Sequence, residues 1–149
     1  MSFFDEIQLN YALWIAVVAW AAAQVLKIIY ELARTRRVKW GLILSSGGMP
    51  SSHSSFVTAI TTTIGIREGF DTYLFALAAI ISMIVMYDAS GVRRAAGKQA
   101  KVINDLLESI ENTGIKLDKK LKEMLGHTPI EVAAGGILGI VIAVLMTNG

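Results

Sequence analysis

Residues 11–30 read YALWIAVVAWAAAQVLKIIY, a run in which Gln24 and Lys27 are the only strongly polar side chains. About 20 consecutive apolar residues suffice for an α-helix to cross the ~30 Å hydrocarbon core of a bilayer. Two more stretches, Thr72–Tyr87 (TYLFALAAIISMIVMY) and Val132–Met146 (VAAGGILGIVIAVLM), contain no charge and reach that length with their flanks. Ser51–Phe70 is shorter in apolar content and carries Thr58, Thr61, Thr62 and Thr63, so it spans only if other helices enclose it. Lipid offers no partner to a free peptide group, which restricts such segments to helices. The expected fold is all-α: an integral membrane bundle of about four transmembrane helices, near 11–30, 51–70, 72–88 and 130–147, in one domain over 1–149.

Composition agrees. Hydrophobic residues make up 54% and charged residues 17%, against ~25% charged in a soluble domain, and the mean hydropathy is +0.54. The residues before Tyr11 include Asp5 and Glu6 and no basic side chain, the wrong leader for a cleaved signal peptide. With no cysteine and only two histidines, neither a disulfide nor a thiolate metal site can form, and without a carboxylate cluster beside the histidines zinc is not expected. No cofactor and no nucleic-acid partner are expected.

Threading the helices alternately through the bilayer gives a lopsided charge distribution. Lys27, Arg34, Arg36, Arg37, Lys39, Arg93, Arg94, Lys98, Lys101, Lys116, Lys119, Lys120 and Lys122 fall on the face where the first helix ends; Arg67 is alone on the other. The positive-inside rule makes the rich face cytoplasmic, so a multi-pass protein of the plasma membrane with both termini outside is expected. On that face the short patch Trp40–Leu44 reads as interfacial or re-entrant. Val102, Ile103, Leu106, Leu107 and Ile110 recur at helical spacing; Asn112-Thr113-Gly114 breaks the run; Leu117, Leu121, Met124 and Leu125 resume it. This reads as an amphipathic helical hairpin over about 95–125, either on the membrane surface or capping the bundle, or as a solvated pair packing on itself.

The same threading brings the chemistry to one mouth. Lys27 and Arg34, GGMPSSHSS (47–55) with His53, the pair Arg93-Arg94, and His127 with Glu131 all reach the cytoplasmic face. Cations, serine hydroxyls, two imidazoles and the free N–H groups of a helix start suit an oxyanion, phosphate above all. Each part has an ordinary alternative. Cations at helix ends snorkel, serines and glycines make turns and caps, and Thr128-Pro129-Ile130-Glu131 is a complete capping box. None of these explains why both histidines share the mouth.

These residues resemble the type 2 phosphatidic acid phosphatases and their vanadium haloperoxidase relatives, whose motifs are Lys-x6-Arg-Pro, Pro-Ser-Gly-His and Ser-Arg-x5-His-x3-Asp. Lys27-x6-Arg34 has the first spacing and Pro50-Ser51-Ser52-His53 follows the second. The third is split, with Gly91-Val92-Arg93-Arg94 at one end and His127-Thr128-Pro129-Ile130-Glu131 at the other. Across nearly the whole chain GGMPSSHSS, YDASGVRR and LGHTP look close to the divergent, YuiD-like branch. Thr35 stands in place of Pro, Ser52 of Gly and Glu131 of Asp. The resemblance implies metal-independent phosphate ester hydrolysis in two steps. His127 would be the nucleophile, Glu131 its carboxylate partner and His53 the acid for the leaving group. Lys27, Arg34, Ser51, Ser52 and Arg93 or Arg94 would hold the phosphoryl oxygens.

The expected function is therefore hydrolysis of a lipid phosphate or diphosphate at the cytoplasmic face. A non-catalytic protein that binds or moves an anionic lipid with the same cradle is the alternative. A purely structural subunit, with Gly135-x3-Gly139 as its packing face, is the third. Four short helices bury little surface, which leaves room for a homodimer.

Overall fold

The computed structural model describes residues 3–36, 48–111, 121 and 126–148. The Trp40–Leu44 patch, the break at 112–114 and, apart from Leu121, the second amphipathic stripe lie outside the described residues. The elements are α1 (Phe3–Gln8), α2 (Tyr11–Thr35), α3 (Ser52–Glu68), α4 (Tyr73–Ser90), α5 (Val92–Glu111) and α6 (Pro129–Asn148). By length and apolarity α2, the α4–α5 run and α6 can cross a membrane. The protein is a helical membrane bundle.

Asn10 starts α2, its side chain accepting from Leu13 N at 3.0 Å. At ~1.5 Å per residue the 25 residues of α2 extend about 38 Å, so the last turn, with Arg34, reaches beyond the ~30 Å apolar layer. Ile15, Ala19, Ala23 and Lys27 recur every fourth position and all are buried, forming one stripe along the helix. Small side chains in that stripe let α3 approach closely enough for Ser55 Oγ to donate to the Ala19 carbonyl at 3.0 Å.

The most polar of the bundle helices, α3, is also the most enclosed. Most of its hydroxyls are spent internally. Thr58 and Thr63 donate to the carbonyls of Ser54 and Ala59, both at 2.8 Å, while Thr61 meets Ser82 of α4 at 2.7 Å. Thr58 also reaches the Gly136 carbonyl of α6 at 3.0 Å. Gly135 and Gly139 press α6 against α3 so tightly that a Cβ at either would collide with the carbonyl oxygens of Ser51 and Ser55. The glycine face noted in the sequence is thus used within the chain, as small residues are in membrane bundles generally.

Contacts at the two ends fix an up-down-up-down arrangement of α2, α3, α4 and α6. At one end Tyr11 of α2 donates to the Met146 carbonyl of α6, and the Arg67 guanidinium of α3 lies 4.9 Å above the Tyr11 ring. At the other, Ser51 N donates to the Glu131 carbonyl at 2.9 Å and His127 N to the Ala89 carbonyl at 3.1 Å. Leu77, Ile80 and Ile84 of α4 and Ile137, Val141 and Leu145 of α6 are exposed, an apolar exterior suited to lipid. Beyond Gly91, α5 carries its stripe of Val102, Ile103, Leu106 and Ile110 exposed. The Asn104 amide both donates to and accepts from the Leu121 backbone, each at 2.8 Å, returning the chain to α5.

Candidate functional site

The stripe that packs α2 against its neighbours ends on a cation. Lys27 occupies the position after Ile15, Ala19 and Ala23 and is 1% exposed, so it does not snorkel. Its stem lies against Gly48, where a Cβ would stand 3.2 Å from both Cγ and Cδ of the lysine. Gly48 has φ +97°, a conformation that suits glycine. The Lys27 Nζ is buried and has no hydrogen-bond partner among the described residues. Seven residues on, Arg34 is exposed. Together they line a cleft of about 280 Å³ with Tyr30, Glu31, Met49, Thr128, Ile130 and Glu131.

Ser51 is the N-cap of α3, its Oγ accepting from Ser54 N at 3.4 Å and from the Ser54 hydroxyl at 3.0 Å. Ser51 and Ser52 are both buried, while His53, in the first turn, is exposed. Its ring centroid lies 6.4 Å from that of His127, edge to face at 65°. Charges on Lys27, Arg93 and Asp88 all act on the His53 ring.

His127 is 2% exposed and is held from three directions. Its backbone N–H caps the end of α4 at the Ala89 carbonyl. Gly126 before it lies on the Arg93–Arg94 peptide. Nδ1 stands 3.3 Å from Glu131 Oε2. The same oxygen accepts from Thr128 N at 2.8 Å, and Thr128 Oγ1 accepts from Glu131 N at 3.3 Å. The capping box expected from the sequence is therefore present, and its carboxylate also serves the histidine. An ionised carboxylate only accepts, so Nδ1 carries the proton and Nε2 presents its lone pair. Nε2 is buried and has no partner among the described residues. Burial pushes the His127 pKa below its ordinary value; the hydrogen bond and charge of Glu131 oppose that, and Lys27 and His53 add to it. The result is a neutral imidazole with a directed lone pair.

Arg93 donates through Nε to Asp88 Oδ2 at 2.7 Å. Arg94, like Arg93, is exposed. The structure thus gathers Lys27, His53, His127 and Glu131, with Arg34 along the cleft and Arg93 beside His53. Sequence reasoning missed Gly48 and Gly126. Gly48 lies in the quoted glycine–serine loop, where a positive φ could have been suspected. The approach of Gly126 to Arg93–Arg94 bridges some thirty residues and leaves no local signal.

A model of the Divergent PAP2 family matches residues 8–142. The chain is also similar to the uncharacterized membrane protein YuiD of Bacillus subtilis (strain 168), at 41% identity over 152 residues that cover 95% of this chain and 96% of that relative. No solved structure matches. A family match over most of the chain, and a membrane relative aligned nearly end to end, agree with the split motif and the helical bundle: the chain belongs to the Divergent PAP2 family.

Proposed function

We propose that the protein is a phosphatase of the plasma membrane, hydrolysing a lipid phosphate or diphosphate through a phosphohistidine on the cytoplasmic face. One observation carries this reading. Lys27 Nζ and His127 Nε2 are both buried at the same mouth with no hydrogen-bond partner among the described residues, and leaving such groups unsatisfied costs ~1–3 kcal/mol each, more for a charge. A phosphoryl group satisfies both, one by charge and the other as electrophile.

In the first step the Nε2 lone pair of His127 attacks phosphorus and forms a P–N bond. The P–O bond to the lipid breaks, and His53 delivers a proton to the departing oxygen. Glu131 accepts from Nδ1–H and stabilises the positive charge that develops on the ring. Lys27, Arg34, Ser51, Ser52 and Arg93 steady the phosphoryl oxygens. In the second step His53 takes a proton from water, the resulting hydroxide attacks phosphorus, and P–N cleavage frees phosphate and restores His127. With reacting atoms ~3–3.5 Å apart, one phosphoryl group bridges rings whose centroids are 6.4 Å apart.

The second reading, an anionic-lipid binder without turnover, is favoured by the geometry of Glu131. Its oxygen is closer to Thr128 N, at 2.8 Å, than to His127 Nδ1, at 3.3 Å, as a helix cap would be. Phosphate release from a panel of lipid phosphates by the purified protein, against His127→Ala, separates the two. Release that depends on His127 supports the phosphatase; tight binding of the same lipids with no release supports the binder.

A further inference from the structure

Asp88 takes no part in the two-step scheme, yet it lies beside it. It is the fifth residue before Arg93, and in an unbroken helix residues five apart point roughly 140° away from each other. The pair meets because Gly91 interrupts the helix, with φ −104° and ψ −78° between α4 and α5. The junction therefore turns Arg93 back onto the end of α4, where Nε reaches Asp88 Oδ2 at 2.7 Å.

We infer that Asp88 is a positioning residue, fixing the Arg93 guanidinium so that its remaining N–H groups face the phosphoryl group between His53 and His127, and that Arg93 rather than Arg94 is the arginine of the split third motif. The inference rests on the phosphatase reading for its ligand. A guanidinium is a rigid planar fork of five donors. Engaging Nε settles the plane of that fork and leaves the terminal N–H groups for a second oxyanion. Placement supports the assignment. Asp88, which holds Arg93, adjoins Ala89, whose carbonyl accepts from His127 N. The backbone of Arg94 is instead the surface on which Gly126 rests.

A carboxylate near an anion site is by itself repulsive, so the inference makes a prediction opposite in sign to simple electrostatics. If Asp88 only adds negative charge, Asp88→Asn tightens phosphate binding and frees Arg93. If Asp88 aims Arg93, the same substitution weakens it. The test is titration of the purified full-length protein with inorganic phosphate and with orthovanadate. Arg93→Ala is expected to weaken binding ~10–100-fold, the loss of a charge-assisted hydrogen bond, and Arg94→Ala to leave it unchanged. Asp88→Asn is expected to weaken it several-fold, with partial recovery in Asp88→Glu and no further loss when added to Arg93→Ala. Arg93→Lys keeps the charge without the fork; it is expected to bind weakly, and it answers the question even where Asn at 88 does not fold. Asp88→Asn or Arg93→Lys at or above the wild-type affinity overturns the inference and leaves the phosphatase reading standing. A wild-type protein that neither binds phosphate nor releases it from lipid overturns both.

Discussion

Gly126 lies directly on the peptide that joins Arg93 to Arg94: a Cβ at Gly126 would stand 2.6 Å from Arg94 Cα and 2.7 Å from the Arg93 carbonyl carbon. The two halves of the third motif, some thirty residues apart in the chain, touch through backbone. His127 is thereby set beside the end of α4. Gly126→Ala must displace one of the two strands of this contact. Overpacking of this kind costs ~1–3 kcal/mol, and here one of the two segments carries His127 and the other Arg93. Thermal unfolding in detergent is expected to fall accordingly, and turnover to fall further than phosphate affinity. Wild-type turnover in Gly126→Ala would show that the contact does not position the histidine.

Lys27 sets function against stability. A cation buried at 1% exposure with no partner for Nζ is costly to the fold, and replacing buried charge with apolar volume is often neutral or stabilising by ~1–4 kcal/mol. Lys27→Met is therefore expected to melt at or above the wild-type temperature while losing phosphate binding ~10–100-fold. Added phosphate raises the wild-type melting temperature by mass action and leaves the variant unmoved. A large loss of stability in Lys27→Met would assign the lysine to the fold.

The order in which these features can be read from the chain follows their physical range. Apolar segments forced into helices by lipid are legible because the constraint is local. So is the enclosure of α3, since Thr58, Thr61 and Thr63 would be costly against hydrocarbon. The burial of Lys27 was not: a cation near a helix end reads as one that snorkels, and the packing of its stem against Gly48, in a distant loop, decides otherwise. The choice between Arg93 and Arg94 was not. It turns on the helix break at Gly91 and on the seat of Gly126, both of which depend on packing between distant parts of the chain.

The pH profile follows from His127. Burial lowers its pKa, and Glu131 partly restores it. The nucleophile is lost only when the ring is protonated, so the acid limb of kcat/KM is expected below the usual histidine value of ~6.5. In Glu131→Gln the amide oxygen can still accept from Thr128 N, but the supporting charge is gone. Turnover is expected to drop and the acid limb to move to still lower pH. An unchanged rate and profile would leave Glu131 as a cap and nothing more.

Orientation can be tested because the chain has no cysteine. Ser109 in α5 and Asp71 between α3 and α4 are both exposed, at opposite ends of the bundle. With the motif cations Lys27, Arg34, Arg93 and Arg94 set aside, the sequence reading still assigns nine Lys/Arg to the Ser109 side against one, so that side is expected in the cytoplasm. An impermeant thiol reagent added to intact cells is expected to label Asp71→Cys and spare Ser109→Cys. The converse pattern would put the site outside.

The two histidines differ in environment and should fail differently. His127 is buried, tied to Glu131, and has a free Nε2, the attributes of a nucleophile. His53 is exposed in the first turn of α3, where a proton can be exchanged with water. Loss of the nucleophile abolishes reaction with every ester, because the covalent intermediate no longer forms. Loss of the acid matters in proportion to the basicity of the leaving group. An alkyl lipid phosphate expels a strongly basic alkoxide, so His53→Ala is expected to cost about 10²–10⁴ in rate. A nitrophenyl phosphate expels an anion stable near neutral pH, and on it the same variant is expected to recover most of its activity, whereas His127→Ala recovers none. Rescue of His127→Ala with no rescue of His53→Ala would exchange the roles, and full activity in both variants would remove the pair from the chemistry.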